Sequence, residues 1–205
     1  MSEKLYLYPI WLRLWHALNA LFFLILLVTG LSMQYSDVSF PLIRFDWAVT
    51  AHNLAGIGIT LSYLFFLAGN LFTTNGKHYS IRVQGLFSDL LAQGRYYMFG
   101  IFSKQIPPFP VTARSKFNPL QRVSYIGAMY VMFPVVAITG WALLFPETIV
   151  RQVFGMSGTL LTALFHIVMG FAMSVFMIVH IYMCTVGKTP LSNFRSMVNG
   201  YHESH

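Results

Sequence analysis

Four long apolar runs constrain this chain more than any other feature. They lie near residues 12–34, 47–72, 123–145 and 159–186, and each is rich in Leu, Phe, Ile, Val and Met. A helix needs about 20 apolar residues to cross a hydrocarbon core, and the runs lack the polar–apolar alternation of membrane-spanning strands. With 56% of residues hydrophobic and 9% charged, the composition is that of a membrane protein. The sequence therefore predicts an all-α membrane protein, a four-transmembrane-helix bundle that forms one domain over residues 1–205.

Lysine and arginine residues are concentrated on one side of this predicted topology. The net charge is +7, which could suggest nucleic-acid binding, but among the basic residues only Arg44 and Arg151 fall on the opposite side. By the positive-inside rule, both termini and the long connection between helices two and three face the cytoplasm of a bacterial inner membrane. The membrane topology and contact with membrane lipid explain the net positive charge, so no nucleic-acid partner is expected. The basic residues on the cytoplasmic side are Lys4, Arg13, Lys77, Arg82, Arg95, Lys104, Arg114, Lys116, Arg122, Lys188 and Arg195.

The connection from Thr73 to Gln121 is too long for a simple turn. Its apolar residues recur at helical spacing and predict an amphipathic interfacial helix from Arg82 to Phe102. This helix either covers the bundle as a lid or offers a docking surface to a cytoplasmic partner. Pro134 falls within the third run, where a membrane helix tolerates a kink.

Four histidines lie within the predicted spans, where polar side chains are costly and usually functional. At about 1.5 Å of rise per residue, His16 and His180 lie about 10 to 12 Å to the cytoplasmic side of the middle of their helices. By the same estimate, His52 and His166 lie about 10 to 12 Å to the outer side. The sequence therefore predicts two histidine pairs at two depths, His16 with His180 and His52 with His166.

One helix serves both levels, because His166 and His180 are fourteen residues apart. That separation is close to four turns, which places both on one face about 21 Å apart. Two stacked pairs of imidazoles are what two bis-histidine haems require, and such haems leave no open position at the iron. The pattern indicates electron transfer. The single cysteine, Cys184, excludes an intrachain disulfide and a cluster held by several cysteines of this chain.

Small and basic residues near the histidines are further candidates for haem contacts. Gly30 lies at the outer level of helix one, and Gly56 and Gly170 each follow a histidine by one turn, so a macrocycle could approach the backbone there. Ordinary helix packing is an equally good explanation of these glycines. Arg13, one turn before His16, could pair with a haem propionate or serve only as a positive-inside residue.

Several segments together resemble the dihaem cytochrome b family. These are Arg13–Met33 (RLWHALNALFFLILLVTGLSM), His52–Gly56 (HNLAG), Lys116–Arg122 (KFNPLQR) and the end of helix four from His180 to Pro190. The family includes the gamma subunit of membrane-bound formate dehydrogenase, the cytochrome b of nickel–iron hydrogenases and the thiosulfate reductase cytochrome b subunit. The resemblance covers nearly the whole chain and is greatest to the thiosulfate reductase type.

The resemblance implies a set of cofactors and partners. It implies two haem b groups with the pairing given above, and menaquinone or ubiquinone beside the inner haem, near Asn118 and Gln121. It also implies a redox partner at the outer haem, either an iron–sulfur or molybdopterin-type subunit or a multihaem cytochrome c. Substrate chemistry is then expected on the partner, and this chain is a quinone-reactive electron-transfer subunit. Pro119-Leu120 replaces small residues of the formate dehydrogenase pattern, which alters the quinone pocket.

Asn118 and Gln121 allow two interpretations. Their amides could hydrogen-bond a quinone carbonyl while Lys116 or Arg122 and nearby water supply protons to the reduced form. Alternatively, Asn118 caps helix three with Pro119 at its first position. Gln121 is harder to explain by capping, and this favours a quinone site.

Other functions remain open at this stage. The chain could be an autonomous quinol-oxidising cytochrome without a fixed partner, a histidine-based metal transporter or a haem-free membrane anchor. Transport is disfavoured because acidic residues, which are expected along an ion path, lie outside the predicted spans. These residues are Glu3, Asp37, Asp46, Asp89, Glu147 and Glu203.

Overall fold

The computed structural model describes residues 4–35, 42–81, 83–103, 105–112 and 115–203. Arg82, Lys104 and Arg114, as well as Glu3 and Asp37, lie outside the described residues. The helices are α1 (Ile10–Gln34), α2 (Phe45–Phe72), α3 (Leu86–Arg95), α4 (Pro119–Ile126), α5 (Phe133–Leu144), α6 (Gly158–Thr185) and α7 (Ser192–Asn199). The strands are β1 (Lys4–Tyr6), β2 (Gln152–Val153), β3 (Met156–Ser157) and β4 (Tyr201–Glu203).

Within the described residues, four helical stretches are long and apolar enough to cross a membrane. They are α1, α2, α6 and the stretch Pro119–Leu144, which contains α4 and α5. Large apolar side chains on these helices are exposed, among them Leu14 at 67% and Phe171 at 70%, which suits contact with lipid. The predicted class, an all-α membrane protein with four transmembrane helices, is confirmed. Asp46, predicted just outside the second span, lies in the first turn of α2 and forms a salt bridge with Arg44.

The third spanning stretch begins earlier than predicted and contains a π-helical segment between two α-helices. Asn118 caps α4 and Pro119 occupies the first turn, so the helix begins near residue 119 and not near 123. A π-helical segment, Gly127–Met132, connects α4 to α5. Pro134 follows it within the first turn of α5. Since proline lacks an N–H and its ring crowds the carbonyl four residues earlier, a locally wider helix accommodates it.

The amphipathic helix of the long connection is shorter than predicted. It begins at Leu86 because Gly85 has a φ of +77°, a left-handed conformation that ends regular structure for most residues. The helix continues as a π-helical turn over Tyr96–Gly100. Its buried residue is Gln93, whereas apolar side chains such as Phe87 and Phe99 are exposed. This outward apolar face favours the predicted interfacial location.

The two ends of the described chain pair with each other. β1 and β4 form an antiparallel ladder in which Leu5 is opposite His202. Gly200, with a φ of +88°, ends α7, and its carbonyl accepts hydrogen bonds from the N–H groups of Leu7 and Tyr8. Residues 4–6 and 201–203 therefore lie on the same side of the membrane.

The chain divides into two compact units. The first unit comprises Met1–Arg13, Gly69–Tyr130 and Ile178–His205, and the second comprises Leu14–Ala68 and Val131–Met177. In the second unit, Phe66 is fully buried and stacks on Trp15, with ring centroids 4.5 Å apart. Tyr63 packs on Phe133 at 4.4 Å, which joins α2 to α5. The description as one domain over residues 1–205 stays a prediction.

Candidate functional site

His52 and His166 face each other within the second unit. His52 lies on α2 and His166 on α6, and both side chains are half-buried. Their ring centroids are 6.2 Å apart and the ring planes form an angle of 71°. The structure therefore brings together the pair that the sequence assigned to the outer level.

Each of these imidazoles contacts a threonine of a neighbouring helix. The Oγ1 atom of Thr29 on α1 is 2.9 Å from Nδ1 of His52. The Oγ1 atom of Thr139 on α5 is 3.1 Å from Nδ1 of His166. All four spanning stretches thus contribute to the surroundings of this pair.

The residue after each threonine is a glycine that lies against the same imidazole. A Cβ atom added at Gly30 would lie 3.5 Å from Cε1 of His52, and one at Gly140 would lie 3.0 Å from Cε1 of His166. The second distance is tighter than an ordinary contact, so a side chain at Gly140 would require the His166 ring to shift by a few tenths of an ångström. In contrast, a Cβ at Gly56 or Gly170 would meet no other atom within 4 Å.

His180 belongs to the first unit and lies among polar and aromatic side chains. The Tyr125 hydroxyl is 3.4 Å from Nδ1 of His180, and the two ring centroids are 5.8 Å apart. Cys184, one turn later on α6, places its Sγ atom 3.8 Å from Nε2. His16 lies on α1 in the second unit. The pairing of His16 with His180 therefore stays a prediction.

Lys116 is a buried cation in the first unit. Its side chain is 4% exposed, and its Nζ atom lies 4.4 Å from the centroid of the Tyr8 ring and 5.6 Å from that of Phe117. Phe117 contacts Tyr125 edge-to-face at 4.9 Å, and Tyr125 contacts His180. A continuous series of contacts therefore connects Lys116 to a predicted haem ligand.

Burial sets the protonation of the groups around Lys116. Desolvation lowers the pKa of the Lys116 ammonium to about 8. Burial, together with the positive charges of Lys116, Lys77 and Arg122, lowers the pKa of His78 to about 4. Burial raises the pKa of the Tyr8 phenol to about 12. Near pH 8, Lys116 is therefore the member of this group that gains or loses a proton.

The sequence of the chain matches a known family along nearly its whole length. Residues 7–200 match the family described as "Prokaryotic cytochrome b561". The chain belongs to this cytochrome b561 family. A relative from Escherichia coli (strain K12), named "Putative cytochrome YdhU", is 40% identical over 201 residues, which are 98% of this chain and 76% of the relative. The cytochrome b resemblance seen in the sequence is confirmed, whereas the thiosulfate reductase type stays a prediction.

The second unit of this cytochrome b561 fits a haem between His52 and His166. Metal–imidazole bonds of about 2 Å, with each ring centroid about 1 Å behind its nitrogen, place two axial imidazoles about 6 Å apart. The observed separation of 6.2 Å agrees with this arrangement. Gly56 and Gly170 leave room for a macrocycle one turn from each histidine.

Arg13 of the cytochrome retains a donor for an anionic group. Its Nη1 atom donates a hydrogen bond to the Val198 carbonyl. Its Nε atom is buried and has no hydrogen-bond partner among the described residues. A haem propionate could accept from it, as the sequence suggested.

Asn118 and Gln121 form a capping box at the start of α4. Asn118 Oδ1 accepts from the Gln121 N–H at 2.9 Å, and Gln121 Oε1 accepts from the Asn118 N–H at 3.2 Å. The inference that Gln121 is hard to explain by capping was wrong, because its side chain reaches back to the cap residue. Asn118 Nδ2 also donates to the Tyr97 hydroxyl. Quinone binding by the two amides stays a prediction.

The sequence alone did not identify several residues of the two sites. Thr29, Thr139 and Gly140 contact the outer pair, and Tyr8 and Tyr125 belong to the surroundings of Lys116 and His180. One signal was present in the sequence: the dipeptide Thr-Gly occurs both at residues 29–30 and at 139–140, on the two helices that do not supply the outer histidines. The tyrosines carried no such signal, because aromatic residues are common throughout the chain.

Proposed function

We propose that this cytochrome transfers electrons between a peripheral redox partner and the quinone pool through two bis-histidine b haems. His52 and His166 hold the outer haem, and His16 and His180 hold the inner haem. Six-coordinate haem iron supplies one-electron transfer without an open site for substrate. The opposed imidazoles of His52 and His166, 6.2 Å apart, are the observation that carries this proposal.

Quinone reacts on the side of His180 and Lys116. The contacts from Lys116 through Phe117 and Tyr125 to His180 support this location, and menaquinone and ubiquinone are both candidates. Asn118 and Gln121 border the same segment. Their amides are already engaged in capping, so a quinone would add to those bonds or compete with them.

Lys116 supplies a proton to the reduced quinone. Reduction of a quinone to the quinol consumes two electrons and two protons, and the electrons come from the partner. The Lys116 ammonium gives one proton to a quinone oxygen, and water from the cytoplasmic side gives the second proton to the other oxygen. Lys116 is then reprotonated from the cytoplasm. A pKa of about 8 keeps the group mostly protonated at neutral pH while allowing it to release the proton.

The proposal also includes the orientation of the chain in the membrane and the redox partner at the outer haem. The chain lies in the bacterial inner membrane with both termini cytoplasmic, and the pairing of β1 with β4 supports a common side for the termini. An iron–sulfur or molybdopterin-type subunit, or a multihaem cytochrome c, docks at the outer haem. Substrate chemistry takes place on that partner.

Haem content tests the proposal most directly. The purified protein is expected to contain two haems b per polypeptide in a pyridine haemochrome assay and to titrate in two potentiometric steps. A single haem would contradict the assignment of two pairs. No haem at all would favour the transporter or the haem-free anchor.

Substitution of one ligand tests the pairing. In His52→Ala, as in His166→Ala, the outer haem is expected to be lost, because only one of its two predicted histidine ligands would remain. The inner haem is expected to keep its spectrum and its midpoint potential, since its predicted ligands are unchanged. Loss of both haems from a folded variant would show either that the pairing is wrong or that the two sites are coupled in assembly.

A further inference from the structure

Two copies of one local arrangement hold the imidazoles of His52 and His166. In each copy, a Thr-Gly dipeptide on a neighbouring helix lies against one histidine. The threonine oxygen is next to Nδ1, at 2.9 Å for Thr29 and 3.1 Å for Thr139. The glycine faces Cε1 of the same ring. The two copies lie on different helices, α1 and α5.

The direction of each hydrogen bond follows from where the threonine proton goes. The Thr29 hydroxyl is 2.6 Å from the Ile25 carbonyl, and the Thr139 hydroxyl is 2.7 Å from the Val135 carbonyl. A carbonyl only accepts and a hydroxyl has a single hydrogen, so each threonine donates to its own helix. Its oxygen is then an acceptor toward the imidazole.

Each histidine must therefore carry its proton on Nδ1. In a neutral imidazole with Nδ1 protonated, the lone pair is on Nε2. This is the form that binds a metal ion through Nε2.

We propose that Thr29 and Thr139 are positioning residues that fix the tautomer and the ring orientation of the two axial ligands of the outer haem. The adjacent Gly140 lets the His166 ring lie close to the backbone of α5, whereas a Cβ at Gly30 would make an ordinary contact with His52. Because the hydroxyl oxygen accepts from Nδ1–H, it increases electron donation from the imidazole to the iron and favours the ferric state. The inference rests on the proposed function, since it requires a haem at this site.

Valine and serine variants test the role of the hydroxyl. Thr29→Val and Thr139→Val keep the shape of the side chain and remove the oxygen, whereas Thr29→Ser and Thr139→Ser keep it. We expect each valine variant to raise one of the two midpoint potentials and to shift the low-spin ferric electron paramagnetic resonance signal of the same haem. The serine variants should restore both values. Thr50→Val is the matched control, because Thr50 is exposed and donates to the Asp46 carbonyl on its own helix.

The outcomes separate this inference from the proposed function. Absence of two haems from the wild-type protein would overturn the proposed function. Two haems with unchanged potentials and spectra in both valine variants would overturn only the inference. The valine variants could instead lose the outer haem. In that case, normal haem content in the serine variants would support a positioning role of the hydroxyl group. Loss of the haem from the serine variants as well would overturn that role. Shifts in different potentiometric steps for Thr29→Val and Thr139→Val would contradict the His52–His166 pairing.

Discussion

Lys116 is the residue whose environment most clearly departs from that of an ordinary surface lysine. Its ammonium group is buried against the Tyr8 ring, and no described carboxylate lies within salt-bridge distance of it. A cation–π contact only partly compensates for lost hydration. The lowered pKa of Lys116 is better explained by a role in proton transfer than by a purely structural role.

This pKa predicts a pH dependence of quinone reduction. Burial lowers the Lys116 pKa from 10.5 to about 8, so the protonated donor is present below pH 8 and is lost as the pH rises through that value. The rate at which a quinone analogue reoxidises the reduced protein should therefore fall across this range. Rapid-mixing absorbance measurements from pH 6 to 10 would follow it.

Two variants distinguish proton donation from charge. Lys116→Gln removes the proton donor and should give a slow rate without the step near pH 8. Lys116→Arg keeps a positive charge that is not released in this range, so it should be as slow as Lys116→Gln and should also lack the step. A fast rate in Lys116→Arg would assign the role to the charge and not to proton donation. Lys77→Gln removes an exposed charge of the preceding segment and should retain it. A step that persists in Lys116→Gln would assign the proton to another group.

At the scale of single elements, the start of α4 combines a structural and a candidate functional role. Asn118 and Gln121 satisfy two backbone N–H groups at the helix N-terminus. Such caps contribute about 1 kcal/mol to stability. Asn118→Ala should lower the free energy of unfolding by about this amount in a denaturant titration, and Asn118→Ser should largely preserve it.

The same element permits a test of quinone binding. The double variant Asn118→Ser with Gln121→Leu keeps a capping oxygen and removes both amides. We expect its haem content to persist and its reoxidation by a menaquinone or ubiquinone analogue to slow by about tenfold, as for loss of one hydrogen bond to a ligand. If this variant were reoxidised at the wild-type rate, Asn118 and Gln121 would have a capping role only.

For the whole molecule, charge asymmetry and the pairing of β1 with β4 predict the orientation. With Cys184 replaced by Ser, cysteines can be introduced at Phe154 in the loop between β2 and β3 and at Val198 on α7, both of which are highly exposed. Phe154→Cys should react with an impermeant maleimide in spheroplasts. Val198→Cys should react only in inside-out vesicles. The reverse pattern would show that the termini are periplasmic.

The amino-acid sequence by itself determined the membrane class, the four spans and the candidate ligands. Long apolar runs can hide backbone polar groups from lipid only as helices, so the class follows from composition and run length. Helical rise fixes the depth of each histidine along its own helix, and this predicted the His52–His166 pair. Local chemistry also offered the Asn118 cap, with Pro119 in the first turn, as one of two interpretations of this segment.

Only the tertiary structure decided which side chains of different helices meet. Periodicity gives the face of a helix but not its neighbour, so the contacts of Thr29 and Thr139 with the histidines depend on how the helices pack. The same holds for Lys116, whose burial against Tyr8 joins residues more than one hundred positions apart. Desolvation and hydrogen-bond direction arise from that packing, and they set the protonation of Lys116 and the tautomers of His52 and His166.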